Sequence, residues 1–226
     1  MEIEVAGEKL QLLPDKAVFW PRATSLIVAD IHFGKSAAFR KFGIAVPEST
    51  TAHDLHRLDQ LVSRTRATRL IILGDFFHAP AGLQPEMMDA VHSWCKKNSS
   101  LEIVLVPGNH DKKAGPPPAC WNIRNVEDCW HLAPFSFCHD PKDAPDQYTI
   151  CGHLHPAISL REKHGSSLRI PCFCFGTKRA ILPAFGSFTG TQNVKPLAGD
   201  RIFAIGADEV AEVFRPPAET LRRKVK

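Results

Sequence analysis

Three apolar runs mark the first half of the chain, and each ends in a polar cluster. Ser25-Leu26-Ile27-Val28-Ala29 runs into Asp30, and Leu70-Ile71-Ile72-Leu73 into Gly74-Asp75. Ile103-Val104-Leu105-Val106 runs into Pro107-Gly108-Asn109-His110-Asp111. Runs that are apolar at every position predict strands covered on both faces. The segments between them predict helices over 37–42, 51–66 and 85–97. In the second of these, Leu55, Leu58, Leu61 and Val62 share a face, and Thr51 with Asp54 matches a capping box. Ahead of Ser25, short apolar runs alternate with the turn signals Gly7-Glu8-Lys9 and Pro14-Asp15-Lys16. Polar residues are thus loaded at C-terminal strand ends, where open α/β sheets bind their ligands.

The second half changes character. From Trp121 onward the pattern predicts strands at 134–138, 148–152, 157–161, 168–175, 179–184, 201–206 and 209–214, with little helix between them. A helix-rich half followed by a strand-rich half predicts an α/β sandwich, two sheets packed together with helices outside. Pro116-Pro117-Pro118 is a candidate boundary, but the polar motifs straddle it. A single domain over residues 1–226 is therefore expected, with a basic tail from about 216 to 226. A chain of 226 residues can bury a sufficient core without disulfides.

Composition narrows the class. Hydrophobic content of 44% and charged content of 23% exclude a disordered or fibrous chain. No uninterrupted apolar stretch approaches the ~20 residues that span a bilayer, and Met1-Glu2-Ile3-Glu4 does not read as a signal peptide. A soluble cytoplasmic protein is expected, with no membrane partner. The net charge of +4 permits nucleic acid without requiring it. The seven cysteines include no Cys-x-x-Cys pair, which argues against a zinc ribbon or a thioredoxin-like dithiol. They are read as buried free thiols in a reducing compartment. The eleven histidines are more telling, because imidazole is the commonest metal ligand.

Five short motifs carry those histidines in order: Asp30-x-His32, Gly74-Asp75, Gly108-Asn109-His110-Asp111, His139, and Gly152-His153-x-His155. Each follows or caps an apolar strand. A strand period of two would put Asp30 and His32 on one side with Ile31 facing the core, and His153-Leu154-His155 repeats the pattern. The set is thiolate-free and mixes carboxylate, imidazole and amide, which suits manganese, iron or zinc. Two such ions need about eight ligand contacts, and a central carboxylate such as Asp75 can serve both. Two metals about 3.5–4 Å apart can clamp a phosphoryl group and hold a hydroxide in line for attack.

This order of motifs resembles the calcineurin-like metallophosphoesterase superfamily across nearly the whole chain. The resemblance implies that family's sandwich of two mixed β-sheets flanked by helices. It places one metal on Asp30, His32, Asp75 and His155, and a second on Asp75, Asn109, His139 and His153. His110 would then stand near the leaving oxygen as general acid or hydrogen-bond donor. One departure matters. Many family members carry Gly-Asp-x-x-Asp, whose last Asp orients the catalytic His, but here His78 stands in that place. What orients His110 is left open, and His78 either reaches the substrate phosphate or supports the site from behind.

A second set of residues resembles one bacterial subfamily, the ligase-associated DNA-damage-response metallophosphoesterases. It comprises Leu13-Pro14-Asp15, Trp20-Pro21, Ala29 to Lys35, Val46-Pro47-Glu48, Gly74 to His78, Pro171-Cys172-Phe173 and Leu182-Pro183-Ala184-Phe185-Gly186. That resemblance implies a manganese-dependent endonuclease acting on single-stranded DNA in repair, encoded beside a DNA ligase, an Lhr-type helicase and a nuclease. Candidate substrate contacts are Lys35, Arg40 and Lys112, with Lys41 and Lys113 beside them. Asp111 reads as a turn-forming or site-supporting group rather than a ligand, Phe76 and Phe77 as a wedge behind Asp75, and Phe173, Phe175, Phe185 and Phe188 as core, with stacking on splayed bases as their alternative role. His53, His56, His92, His131 and His164 lack motif context. Arg64, Arg66 and Arg69 read as a basic helix end. The rival readings are a small-molecule phosphodiesterase or nucleotide-sugar pyrophosphohydrolase of the same fold and, more remotely, a non-catalytic metal-stabilised module.

Overall fold

The three apolar runs become neighbouring parallel strands, because each is buried along almost its whole length and none tolerates an exposed face. In a computed structural model of the chain, which describes residues 1–46, 50–161 and 167–215, they are β4 (Ser25–Ala29), β5 (Arg69–Leu73) and β6 (Glu102–Val106). Pro47-Glu48, His164 and the basic tail lie outside the described residues. Ahead of these strands, β1 (Glu2–Val5), β2 (Glu8–Leu13) and β3 (Ala17–Trp20) form an antiparallel meander onto β4, and β7 (Ile123–Asn125) adds in parallel beyond β6. The seven strands lie in chain order across one mixed sheet.

Register positions the site. Ala29 pairs with Leu73, and Leu73 with Val106, so three strands end level with one another. The loops bearing Asp30, Asp75 and Asn109 therefore leave the sheet side by side. Helices α1 (Lys35–Lys41), α2 (Thr50–Thr65) and α3 (Pro85–Lys97) make the crossovers, and the short α4 (Asp111–Ala114) follows β6. Leu55, Leu58 and Leu61 of α2 and Val91 and Trp94 of α3 pack on one face of the sheet. Burying each such leucine contributes about 1.5–3 kcal/mol.

The second sheet holds nine strands: β8 (Cys129–Leu132), β9 (Phe135–Cys138), β10 (Thr149–Cys151), β11 (Pro156–Arg161), β12 (Ser167–Phe175), β13 (Arg179–Ile181), β14 (Gln192–Asn193), β15 (Arg201–Ile205) and β16 (Val210–Phe214). Its aromatic residues Phe135, Phe137, Phe173 and Phe203 pack against Leu10, Leu12, Trp20, Ile27 and Ile71 of the first sheet. β9 and β10 run parallel with Cys138 opposite Cys151, so His139 and Gly152-His153 also emerge together.

Several expectations are corrected. The capping box fails: α2 already includes Thr50, and both carboxylate oxygens of Asp54 accept the Ser187 backbone N–H at 3.1 Å, while Oδ1 also takes Arg57 Nη1 at 3.0 Å. Helix α1 starts at Lys35 rather than at residue 37. β13 ends at Ile181 instead of 184, before Pro183, which has no N–H to give a ladder. Strands β7, β8 and β14 were not expected, being short and without a buried residue. Arg69 belongs to β5 and pairs with Glu102 at 2.8 Å rather than closing a helix.

The cysteines are not all thiols. Cys129 and Cys138 face each other as a register pair across β8 and β9, with Cα atoms 4.5 Å apart, and form a disulfide. Cys95, Cys151, Cys172 and Cys174 are buried free thiols, and Cys120 is an exposed one. Among the described residues no helix is long and apolar enough to cross a membrane.

Candidate metal centre

The metal-ligand candidates do not sit on strands. β4 stops at Ala29 and β10 at Cys151, and the next residues turn sharply. Asp30, His32, Asp75, His153 and His155 all adopt positive φ, between 47° and 70°. Side chains other than glycine take this conformation rarely, and clusters of it mark functional sites. Left-handed turns, and not the alternation of a strand, therefore set the directions of Asp30 and His32. The expected outcome survives, since both side chains converge on the site and Ile31 enters the core.

Three groups of donor atoms assemble there, one of them His32 with His78 and His110, and two of them carry a carboxylate. Asp30, His32 and His155 form one of these two, and Asp75, His139 and His153 the other, with each group's donor atoms within 4.8 Å of one another. Asn109 joins the second, its Oδ1 lying 3.1 Å from His139 Nε2. Asp75 stands between the groups. Its Oδ1 is 3.5 Å from His139 Nε2 and its Oδ2 is 3.6 Å from His32 Nε2. One carboxylate thus turns each oxygen toward a different ligand set.

The donor set fits divalent cations. His139 Nδ1 donates to the Leu73 carbonyl at 3.1 Å, which leaves Nε2 as a lone pair. That lone pair meets Asn109 Oδ1, Asp75 Oδ1 and His153 Nδ1, the last at 3.0 Å. His155 repeats the arrangement, donating Nδ1–H to the Gly190 carbonyl at 3.1 Å and aiming Nε2 at Asp30 Oδ1, 3.5 Å away. Asp30 Oδ1, His32 Nε2 and His155 Nε2 are buried without any hydrogen-bond partner. Among the described residues, only histidines come within ion-pair distance of Asp30 or Asp75. Converging acceptors of this kind repel one another unless a cation lies between them. Burial accordingly pushes the Asp75 carboxyl upward and the His32 imidazole downward.

Two glycines make room for this. A Cβ on Gly74 would collide with the His139 ring, and one on Gly108 with the Asp75 carboxylate. Gly74 also has φ of +71°, which suits only glycine without strain.

His110 is held from behind. Its Nδ1 bonds the backbone carbonyl of His78, so Nε2 faces the site, 4.0 Å from Asp75 Oδ2. Its backbone N–H donates to Asp75 Oδ1 at 2.9 Å. The His78 ring stacks on His110, and its Nδ1 lies 3.3 Å from His32 Nδ1. Burial, then the nearby Lys35 and His110, bring the His78 imidazole down to about 4, so it is neutral near pH 7. A neutral His78 can accept the Nδ1–H of His32 and leave His32 Nε2 bare for a metal. Asp111 accepts the N–H groups of Gly108, Phe77 and Phe76 at 2.9, 2.9 and 3.2 Å, tying the loops after β5 and β6 together. Phe76 and Phe77 pack edge-on behind Asp75 against Trp121.

The cationic candidates separate. Lys35 is half-buried at the rim, where burial lowers its pKa and Asp75 and Asp30 act against that. Arg40 donates to the Val46 carbonyl at 3.2 Å and, with Lys41, lines a cleft of about 660 Å³ between α1, α2 and α3. Lys112 instead pairs with Asp128 at 2.7 Å on the surface. Missing from the sequence reading were the Leu73 and Gly190 carbonyls that fix two histidine tautomers, because backbone acceptors carry no residue signature. Phe173, Phe175 and Phe185 are buried as expected, but Phe188 is exposed.

Fold and site together define a metal-dependent phosphoesterase. Residues 23–168 match the calcineurin-like phosphoesterase family, and the chain belongs to that family. It is an enzyme, a metal-dependent hydrolase. Among solved structures, the chain is 38% identical to the Pseudomonas putida nuclease MPE, over 94% of this chain and 99% of that one, with a TM-score of 0.83. The E. coli phosphoesterase Yfce is far more distant, at 14% identity over 82% and 90% of the two chains, with a TM-score of 0.41. No curated protein matches the chain.

Proposed function

We propose that this chain is a two-metal phosphodiesterase that cleaves single-stranded DNA internally, with manganese as its working ion and DNA repair as its setting. The observation that carries the reading is Asp75, whose two oxygens face two separate ligand sets. Asp30, His32, Asp75 and His155 would hold one ion, and Asp75, Asn109, His139 and His153 the other. When bound, such ions supply the activated nucleophile and the positive charge that phosphoryl transfer requires.

The chain's own groups do the rest. The Leu73 and Gly190 carbonyls keep His139 and His155 in the tautomers that present Nε2. His110, aimed by the His78 carbonyl through Nδ1–H, turns Nε2 to the departing oxygen and donates a proton from it as the doubly protonated imidazolium. Lys35 at the rim counters a non-bridging phosphate oxygen, and the cleft carrying Arg40 and Lys41 gives the strand's backbone a path. The likeness to a nuclease from P. putida favours a nucleic acid over a small phosphodiester. A repair role and association with a ligase, an Lhr-type helicase and a nuclease rest on the subfamily motifs.

The test is incubation of metal-stripped protein with circular single-stranded DNA and added manganese, magnesium or zinc, beside an Asn109→Ala variant. Manganese-dependent nicking that the variant lacks is expected. Intact circles alongside hydrolysis of bis-p-nitrophenyl phosphate would reject the nuclease reading and favour a small-molecule phosphodiesterase.

A further inference from the structure

Phe188 sits on a loop with little freedom. Just before it, Phe185 N–H donates to the Ala29 carbonyl at 2.7 Å and Gly186 N–H to the Asp30 carbonyl at 3.2 Å. Ser187 N–H is held by Asp54, and Thr189 Oγ1 donates back to the Gly186 carbonyl at 2.7 Å. Despite this, Phe188 as a whole residue keeps 36% of its surface in water. Its main ring partner is Phe39 of α1, met edge-on with centroids 5.4 Å apart at 86°. Phe39 in turn lies 6.2 Å from the His78 ring, which stacks on His110. A line of four rings therefore runs from open surface to the group aimed at the reaction centre. Phe188 also shares one narrow notch with His32 and Lys35, so an exposed aromatic face, a metal-ligand candidate and a cation adjoin at a single edge of the site.

We propose that Phe188, braced by Phe39, is a stacking shelf for the unpaired nucleobase beside the scissile phosphate of a single-stranded DNA. The shelf rests on the nuclease reading above and adds what that reading lacks, a group that recognises a base rather than a phosphate. An edge-to-face pair uses one face of one ring, which leaves aromatic surface for a third partner. A base in a duplex is already stacked on both sides and cannot lie on Phe188 without leaving the helix. A base in a single strand has a free face, and stacking on an aromatic side chain is tolerant of sequence. The same residue would thus select single strands without selecting a sequence. The Lys35 ammonium fits the adjoining phosphate, so base and backbone are met from one edge.

The test compares KM for two strands of equal length, one of thymidine nucleotides and one of stable tetrahydrofuran abasic units, with manganese present. Stacking of one base is worth about 1–3 kcal/mol, so wild-type protein is expected to favour the thymidine strand about fivefold or more in KM. In Phe188→Ala that ratio is expected to fall to near one, and in Phe188→Trp to be kept or enlarged. A ratio unaltered in Phe188→Ala, or lost equally in Phe188→Trp, overturns the shelf. Cleavage of both strands by wild type with no base preference overturns the shelf and leaves the nuclease reading standing. Failure of wild type on both strands, with bis-p-nitrophenyl phosphate still hydrolysed, overturns the nuclease reading and the shelf with it.

Discussion

His78 lies parallel to His110, ring centroids 4.9 Å apart at 20°, while its own backbone carbonyl takes the His110 Nδ1–H. One residue therefore orients the proposed acid through main chain and ring together, where many relatives use a carboxylate. A carbonyl fixes the tautomer as a carboxylate does, but it adds no full negative charge to hold a proton on the ring.

The two functions of His78 separate by mutation. In His78→Ala the carbonyl anchor of His110 stays, but the acceptor for His32 Nδ1 is gone. Metal affinity is expected to fall about 10–100-fold, as when ligand-orienting groups are removed. His110→Ala is expected to lower kcat about 10²–10⁴-fold with metal affinity near wild type. Calorimetric metal titration beside kcat at saturating metal checks both. Equal losses of metal in the two variants would contradict the division of roles.

Asp111 gives a stability prediction. Its replacement by Ala leaves three buried N–H groups, on Gly108, Phe76 and Phe77, without their acceptor. At about 1–3 kcal/mol for each unsatisfied group, the metal-free protein should lose about 3 kcal/mol or more in urea unfolding. Asp111→Asn keeps one oxygen and should lose less. Similar losses in the two variants would mean that the carboxylate's hydrogen bonds are not what joins these loops.

Glu212 sets an acid-side dependence. Arg215 and then Arg201 bond its carboxylate and bring it from 4.5 down to about 2. A depressed carboxyl contributes stability that is complete above pH 4.5 and vanishes as pH falls toward 2. Arg215 is largely exposed and its charge is screened by water, so the contribution should stay under about 1 kcal/mol. The stability difference between wild type and Glu212→Gln, followed from pH 7 to pH 2, should be level at first and then close to zero. A difference that grows on acidification would contradict the assignment.

Thiol counting checks the second sheet. Unfolded, unreduced protein should titrate five thiols, and reduced protein seven, because Cys129 and Cys138 are joined. Seven before reduction would show the pair open.

Much of this was legible in the chain. The all-apolar runs at 26–29, 70–73 and 103–106 announced buried parallel strands, and the seven ligand candidates fell into the motifs that the structure brings together. Local pattern could not show the rest. The disulfide needs β8 beside β9, and Cys129 to Leu132 carries too little burial to signal a strand. The left-handed turns at Asp30 and His153 are imposed by tertiary contacts, among them the His153 N–H bond to Asp30 Oδ2 at 2.9 Å, across more than a hundred residues of chain. Asp54 looked like a cap because its true partner, Ser187, lies far along the sequence.

The shared carboxylate of Asp75 is the centre of the account, and electron paramagnetic resonance of the manganese-loaded protein tests it most directly. Two ions bridged by one carboxylate should take up two equivalents of manganese and give a broad, exchange-coupled spectrum, which Asp75→Ala abolishes. Saturation at one equivalent, with the six-line signal of an isolated ion, would contradict a dinuclear site.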